Sequence, residues 1–427
     1  MTRAMSVTQV ALSKPLGRPL VCDTVVVARN GEPVWIAKNS DREPDEAQAV
    51  DRFDVRRASP RTDATGRRLP FDDVPLATIQ SRPAWLFGCE MGVNEAGLAV
   101  ANEATFSCLP VPDEGFTGMD LQRLVLERAT TADDALALLV ELLARFPQGG
   151  PMARRDRAFR YFSSFVLADP HRAWIVETAG PHWAAKRVRG VATLSNVHTI
   201  GTDYDRVSPG AADAARRLGR LRQGALDFAH AFGDRRLRPF TGGDARRACT
   251  LAATHALGAP SVAGLASVLR DHGPHGAAGT WRMEAPCAHA SFWPTRAAGQ
   301  TTGSMIVRLD GPRPTAFFTG TSSPCLSVFK PATFDGAWAN EPPVGVRAGE
   351  DLWWRHERLH RAVLLNDAAR RPLVEPLARA LEANANDATW AAHREAVLVW
   401  TSKARAAGRE RTGAFERYWK WRAWRDA

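Results

Sequence analysis

The sequence predicts an α+β protein in which antiparallel sheets are covered by helices. Three observations carry this expectation. Two apolar runs, Thr24–Ala28 and Pro33–Ala37, flank Asn30-Gly31, a pair suited to a hairpin whose turn positions need positive φ. Residues 160 to 195 hold a succession of short strand-like runs: YFSSFVLAD, RAWIVETAG, HWAAKRV and VATLSN. Strand and helix patterns come in blocks and do not alternate one for one, which argues against a parallel βαβ sheet.

The elements follow in order. Cys22 starts the first strand of the hairpin and KNSDR, residues 38–42, closes the second. Pairing across the turn then brings Lys38, Asn39 and Asp41 back toward Cys22. Asn94-Glu95-Ala96-Gly97 reads as a turn, and Leu98–Ala101 as a strand ending at Asn102. Met119–Ala129 and Thr131–Phe146 read as helices with apolar stripes Leu121, Leu124, Val125 and Ala135, Leu138, Leu139, Leu142, Leu143. Thr131 with Asp134 resembles a capping box. After the strand block, helices are expected at Ala211–Phe232, Asp244–Leu257 and Ser261–Asp271, then strands at SMIVRL and TAFFTG. From Asp351 onward the pattern is helical and rich in Arg, Ala and Trp, and its stripe Trp354, Leu359, Val363, Leu364 is expected to pack on the preceding domain. The polar stretch RRASPRTDATGRR, residues 56–68, reads as a mobile loop.

Composition excludes several classes. A chain of 427 residues, 45% hydrophobic and 24% charged, is ordinary for a globular protein with a large core. No apolar run approaches the roughly 18 residues that would span a bilayer. The N-terminal stretch Val7–Leu12 is broken by Gln9 and followed by Lys14, Pro15 and Arg18, too short and polar for an export signal, so a cytoplasmic protein is expected. The net charge of +10 is spread over arginines in helix-like segments such as AARRLGRLRQ, with no nucleic-acid motif, so no nucleic-acid partner is expected. Cys22, Cys89, Cys108, Cys249, Cys287 and Cys325 form no CxxC pair and no disulfide framework, and read as reduced thiols. HGPH at residues 272–275 lacks further ligands in a recognisable spacing and there is no HExxH, so no metal and no cofactor are expected.

The reading of Cys22 decides what chemistry the chain can do. One reading is a small packed core thiol. The other is a nucleophile unmasked when the preceding residues, 1–21, are removed. The new α-amino group would have an ordinary pKa of about 7.7–8.0, close to what a general base needs. One residue would then supply nucleophile and base. Lys38 favours the thiolate, and Asp41 either holds the ammonium or caps a turn. An asparagine at a strand end, such as Asn102, suits an oxyanion donor or an edge cap. Glu103 and Glu177 each suit a substrate amine or a structural salt bridge. Cys89 reads as a packed thiol, and Cys287 and His289 receive no catalytic role.

The order of blocks from residue 22 to about 331 resembles the secernin and dipeptidase A group of N-terminal nucleophile hydrolases. The blocks are Cys-Asp-Thr, KNSDR, SRPAW, GCEMGVNEAGLAVANEA, GMDLQRLVLERA, WIVETAGPHWAAKRV, LSNVHTI, TTGSMIV and TGTSSPCLSVFKP. The likeness is closest to secernins and more distant to choloylglycine hydrolases and penicillin V acylase. It implies an αββα sandwich, two packed sheets between helical layers. It implies Cys22 as nucleophile, Asp41 as the aspartate positioning its amine, Asn102 as the oxyanion asparagine and Asn196 as the second asparagine shaping the site. Lys38 stands where the amide hydrolases usually carry arginine. Asn39, Arg42 and Glu103 are assigned to substrate binding.

The resulting organisation is a leader over residues 1–21, a catalytic domain over 22–339 and a helical extension over 340–427. The expected activity is a cysteine-dependent amide hydrolase, a dipeptidase acting through a thioester on a small peptide or N-acyl amide. An N-acyl amide hydrolase or acyltransferase, and a non-catalytic interaction protein on the same fold, are the alternatives. A homo-oligomer is left open.

Overall fold

The Asn30-Gly31 hairpin forms as expected, with β1 (Cys22–Ala28) antiparallel to β2 (Val34–Arg42) and Gly31 at φ +76° in the turn. The structure is a computed structural model describing residues 22–277, 284–290, 299–338 and 349–425. The expected leader, residues 1–21, and the expected boundary near residue 340 lie outside the described residues.

The hairpin sits in the middle of a six-stranded sheet. Its order is β10 (Gly190–Leu194), β1, β2, β12 (Gln300–Leu309), β13 (Ala316–Phe318), β14 (Lys330–Ala332). An eight-stranded sheet runs β11 (Arg206–Val207), β9 (His182–Arg187), β8 (Ala173–Ala179), β7 (Phe162–Ala168), β6 (Ala99–Thr105), β5 (Met91–Asn94), β4 (Thr78–Pro83), β3 (Gln48–Phe53). Every strand pairing within these two sheets is antiparallel.

Strand alternation builds the layers. Val26 and Ile36 enter a core shared with Ile79, Val93, Ala101, Val166 and Met305, so one face of the first sheet packs on the second. Val25, Val27 and Ala37 point the other way, onto Leu265 and Leu269 of α7 (Val262–Leu269). Beside it lies α6 (Gly243–Ala256). The outer face of the second sheet carries α1 (Gly118–Leu126) and α2 (Ala132–Arg145), whose Leu121, Leu124, Leu139 and Leu142 meet Val100, Phe165, Leu167 and Val176. The molecule is therefore an αββα sandwich of antiparallel sheets. Thr131 caps α2 as expected, accepting from Asp134 N at 3.1 Å. A full box at Thr117 and Asp120 starts α1.

Three expectations are corrected. The continuous helix expected over Ala211–Phe232 is two short ones, α3 (Ala211–Arg217) and α4 (Phe228–Phe232). Gly219 and Gly224, at φ +68° and +83°, take left-handed conformations that no helix continues through. The strand expected to end at Asn102 continues to Thr105, because Asn102, Glu103 and Ala104 all pair with β7. The loop at residues 56–68 is tied down: Asp63 Oδ1 accepts from Thr65 N at 2.8 Å and Arg67 N at 2.9 Å, and Arg61 binds both oxygens of Glu127 at 2.6 and 2.7 Å.

After the short α5 (Arg238–Thr241) and the strands that follow it, the chain continues into α8 (Leu352–Leu364), α9 (Asp367–Glu382), α10 (Thr389–Ala406) and α11 (Ala414–Arg425). The expected stripe of Trp354, Leu359, Val363 and Leu364 is buried. Beside it, Trp353 Nε1 donates to Thr302 O at 2.9 Å, bonding α8 directly to β12. No described helix is long and apolar enough to cross a membrane.

Candidate active site

The hairpin register pairs Cys22 with Ser40, Asp23 with Asn39 and Thr24 with Lys38. Because side chains alternate, Cys22, Thr24, Lys38 and Arg42 face the second sheet, whereas Asp23, Asn39 and Asp41 face the helical layer. The turn thus brings Lys38, Asn39 and Asp41 back to Cys22, and the pleat divides them between two faces.

On the inner face, Lys38 Nζ donates to Asn102 O at 2.5 Å and lies 3.4 Å from Glu103 Oε1. Thr24 Oγ1 donates to the same Glu103 oxygen. Burial pushes the Glu103 carboxyl up to about 8 against the pull of Lys38. Burial works against the Lys38 charge, but the Cys22 and Glu103 charges outweigh it and hold the ammonium protonated. The Cys22 thiol is pushed well above its usual value by burial, with Lys38 pulling the other way. The Asp41 N–H donates to Cys22 Sγ at 3.4 Å. This is a thiol with one cation beside it and one amide on its sulfur.

Arg42 and Asn102 turn to interior partners. Arg42 donates to Glu46 Oε2 at 2.6 Å, Glu90 Oε1 at 3.0 Å and Met152 O at 2.8 Å. With its nitrogen toward Glu90, the Asn102 amide donates to Glu90 Oε2 and Glu90 O, both at 3.0 Å.

On the outer face, the nitrogen of Cys22 donates to Asn196 Oδ1 at 2.9 Å. Arg246 on α6 converges there. Its Nη2 donates to Asn196 Oδ1 at 2.7 Å and Ser195 Oγ at 2.8 Å, while its Nε sits 3.1 and 3.0 Å from the two oxygens of Asp23. Ser195 Oγ in turn donates to Cys22 O at 3.0 Å, and Asn196 Nδ2 to Ala104 O at 2.9 Å. Both backbone polar groups of Cys22 are therefore held by the Ser195-Asn196 pair at the end of β10. Asp41 Oδ1 accepts from Thr301 Oγ1 at 2.7 Å. Asn39 donates to Leu269 O at 2.8 Å and Pro286 O at 3.1 Å and accepts from Ser304 Oγ at 2.6 Å.

A cavity of about 340 Å³ opens next to this network. Asn196, His198, Thr199, Arg235, Arg238 and Arg247 stand on its wall, and Cys22 does not. Asn196 links the two, touching the cavity with one side and the nitrogen of Cys22 with the other.

Sequence reasoning missed Arg246, Ser195 and Thr301. Arg246 resembled the many arginines of solvated helix faces, yet it is fully buried. A signal was present: Arg246, Thr250 and Thr254 recur every four residues, a polar stripe on the buried face of α6. Glu177 makes no salt bridge among the described residues. It accepts from Thr199 N at 2.7 Å and Ile200 N at 3.0 Å, shaping the segment after Asn196. Cys89 is a buried thiol, pushed to about 12 by burial and bonded to Gln122.

Residues 27–199 match the family model described as acyl-coenzyme A:6-aminopenicillanic acid acyl-transferase. The matched stretch holds Lys38, Asp41, Asn102 and Asn196 and begins after Cys22. Among solved structures, the chain is similar to a conjugated bile acid hydrolase from Clostridium perfringens, at 11% identity and TM-score 0.43, covering 74% of this chain and 90% of that one. It is also similar to penicillin V acylase from Agrobacterium tumefaciens, at 15% identity and TM-score 0.44, covering 73% and 86%. A Caenorhabditis elegans ortholog of N-acylethanolamine-hydrolyzing acid amidase aligns at 10% identity and TM-score 0.36, covering 67% and 92%. Through the family match the chain is similar to enzymes of the N-terminal nucleophile hydrolase superfamily, and that match does not single out secernins.

Proposed function

We propose that this protein is a cysteine-dependent amide hydrolase that cleaves dipeptides with Cys22 as its N-terminal nucleophile. The observation that carries the reading is the seat of Cys22. Asn196 holds its nitrogen at 2.9 Å, Asp41 N–H meets its sulfur at 3.4 Å, and Lys38 supplies the buried cation on the thiol face. Once residues 1–21 are gone, that nitrogen is an amine and accepts the thiol proton as sulfur attacks the substrate carbonyl. The amine passes this proton to the leaving nitrogen, giving a free amine and a thioester on Cys22. Water then hydrolyses the thioester and restores the thiol. Asp41 steadies the ammonium form, and Asn102 and Asn196 serve the oxyanion. Arg247 makes no ion pair among the described residues and stands on the cavity wall, suited to a substrate carboxylate. Such a carboxylate is common to dipeptides and N-acyl amino acids. The family match favours a second reading, an N-acyl amide hydrolase or acyltransferase at the same centre.

In this reading, residues 1–21 are a leader and residues 340–427 an extension packed on the catalytic body. Release of the leader needs only the same thiol: sulfur attacks the carbonyl of Val21, the acyl group shifts from nitrogen to sulfur, and water frees it. The test is intact mass and N-terminal sequencing of the active fraction, assayed on a panel of dipeptides and N-acyl amino acids. Active chains are expected to begin at Cys22 and to prefer dipeptides. Full activity with residues 1–21 attached overturns the mechanism, and turnover of N-acyl amino acids alone overturns the substrate.

Asn196→Ala and Asn102→Ala are each expected to lower kcat, by about 10²–10³-fold for an oxyanion donor. Steady-state kinetics on the mature protein reads this directly. Near wild-type turnover in both variants removes the oxyanion assignment while leaving the nucleophile in place.

A further inference from the structure

Three chain segments converge on a second centre that the spacing of the sequence conceals. His272 follows α7, Cys287 and His289 lie in residues 284–290, and Cys325 follows β13. Their donor atoms all lie within 4.8 Å of one another. From His289 Nε2 the distances are 2.9 Å to His272 Nε2, 3.6 Å to Cys325 Sγ and 3.8 Å to Cys287 Sγ. A tetrahedral zinc ion with bonds of about 2.0–2.1 Å to nitrogen and 2.3 Å to sulfur sets its ligands about 3.3–3.8 Å apart. The two nitrogen–sulfur distances fall in this range and the two nitrogens lie closer together, so the cluster has the ligand number and donor types of a Cys₂His₂ site at nearly its size.

The surroundings match as well. A ligating histidine ordinarily gives its other N–H to an acceptor that fixes ring and tautomer. His289 Nδ1 lies 2.8 Å from His360 Nε2, and His360 Nδ1 lies 3.1 Å from Glu357 Oε2. Ligation through His289 Nε2 puts a proton on its Nδ1, donated to His360 Nε2. The His360 proton then sits on Nδ1 and goes to the carboxylate. Glu357 is itself fixed by Ser322 Oγ at 2.6 Å, Gln300 Nε2 at 3.0 Å and Arg361 Nε at 2.8 Å. A single set of tautomers satisfies the whole chain from α8 to the cluster.

We infer that His272, Cys287, His289 and Cys325 bind one structural zinc ion. Four protein ligands close the coordination shell, and three of them are fully buried, so the site has no open position for a substrate. Its role is to brace the candidate active site. Ala288, between two of the ligands, exchanges hydrogen bonds with Thr301: Thr301 N donates to Ala288 O and Ala288 N to Thr301 Oγ1, both at 3.0 Å. Ser323, two residues before Cys325, donates its N–H to Thr301 O at 2.9 Å. Thr301 is the residue whose hydroxyl holds Asp41. The metal thus clamps both loops that clasp Thr301, and its proposal does not depend on the substrate.

Untagged protein, desalted after purification, is assayed for zinc by mass spectrometry. About one zinc per chain is expected for the wild type and for Cys108→Ser, whose thiol lies outside the cluster. Cys325→Ser and His272→Ala are expected to lose the metal, and His360→Ala to weaken its affinity by about 10–100-fold. Chelation is expected to lower the Tm, and zinc to restore it. Should the variants fail to fold, cobalt(II) added to chelated wild-type protein still decides: tetrahedral thiolate–cobalt absorption supports the site. Wild-type protein that holds far less than one zinc and gives no such absorption overturns it, as does a Cys287–Cys325 disulfide in the native chain.

Discussion

Cys22→Ala protein is expected to fold with a denaturation midpoint near that of the wild type and to hydrolyse no amide. The change removes one sulfur from a strand that keeps its hydrogen bonds to β2 and β10 through the backbone, so the sheet loses little. The proposed chemistry loses its nucleophile. Cys89 offers no substitute, since it is buried on the far side of the second sheet, against α1. Circular dichroism and urea unfolding check the fold, and product formation on the dipeptide panel checks the activity. Full turnover in a folded Cys22→Ala variant removes the central assignment. The same variant reports on maturation: if release is the protein's own act, its mass retains residues 1–21, and if another protease performs it, the mass does not. The rate of the mature enzyme is expected to fall as pH drops below the ordinary α-amino range of about 7.7–8.0, where an ammonium can no longer accept the thiol proton.

Arg246→Met is expected to be the most destabilising single change near the site. Its guanidinium serves Asp23, Ser195 and Asn196 at once and is fully buried. Breaking a buried ion pair from one side typically costs about 3–5 kcal/mol. The measurement is a lower urea midpoint at unchanged slope. Arg246→Lys separates charge from geometry. An ammonium keeps the charge opposite Asp23 but, as one compact donor, cannot also reach Ser195 and Asn196 as the guanidinium does with Nε on Asp23 and Nη2 on the other two. Part of the stability is therefore expected to return without the activity. A wild-type midpoint in Arg246→Met, or full activity in Arg246→Lys, shows that Arg246 does not hold the seat of Cys22.

The Asn-Gly hairpin, the strand block, the paired helices α1 and α2 and the buried Trp354 stripe were all legible in the chain. Each is written in neighbours: a turn needing positive φ, apolar residues at a period of two, apolar residues at three and four. Glycines inside the 211–232 stretch were also local, and weighing them against the helical pattern would have split it. Where a strand stops is another matter. Asn102 continues β6 because β7 offers it a partner, and no neighbour in sequence announces that.

The sequence by itself determined that a cysteine heads a hairpin, that KNSDR returns beside it, and that two antiparallel sheets would need helical cover. Only the tertiary structure decided which face each of those residues takes, since the register and the partner sheet set the side of the pleat. Hence Lys38 stands with the thiol, while Asn39 and Asp41 turn to the helices. It alone brought Arg246 to Asn196 across 50 residues of chain and His272 to Cys287, His289 and Cys325. Such groups meet because closing the core brings distant segments together, and their spacing along the chain carries no trace of it.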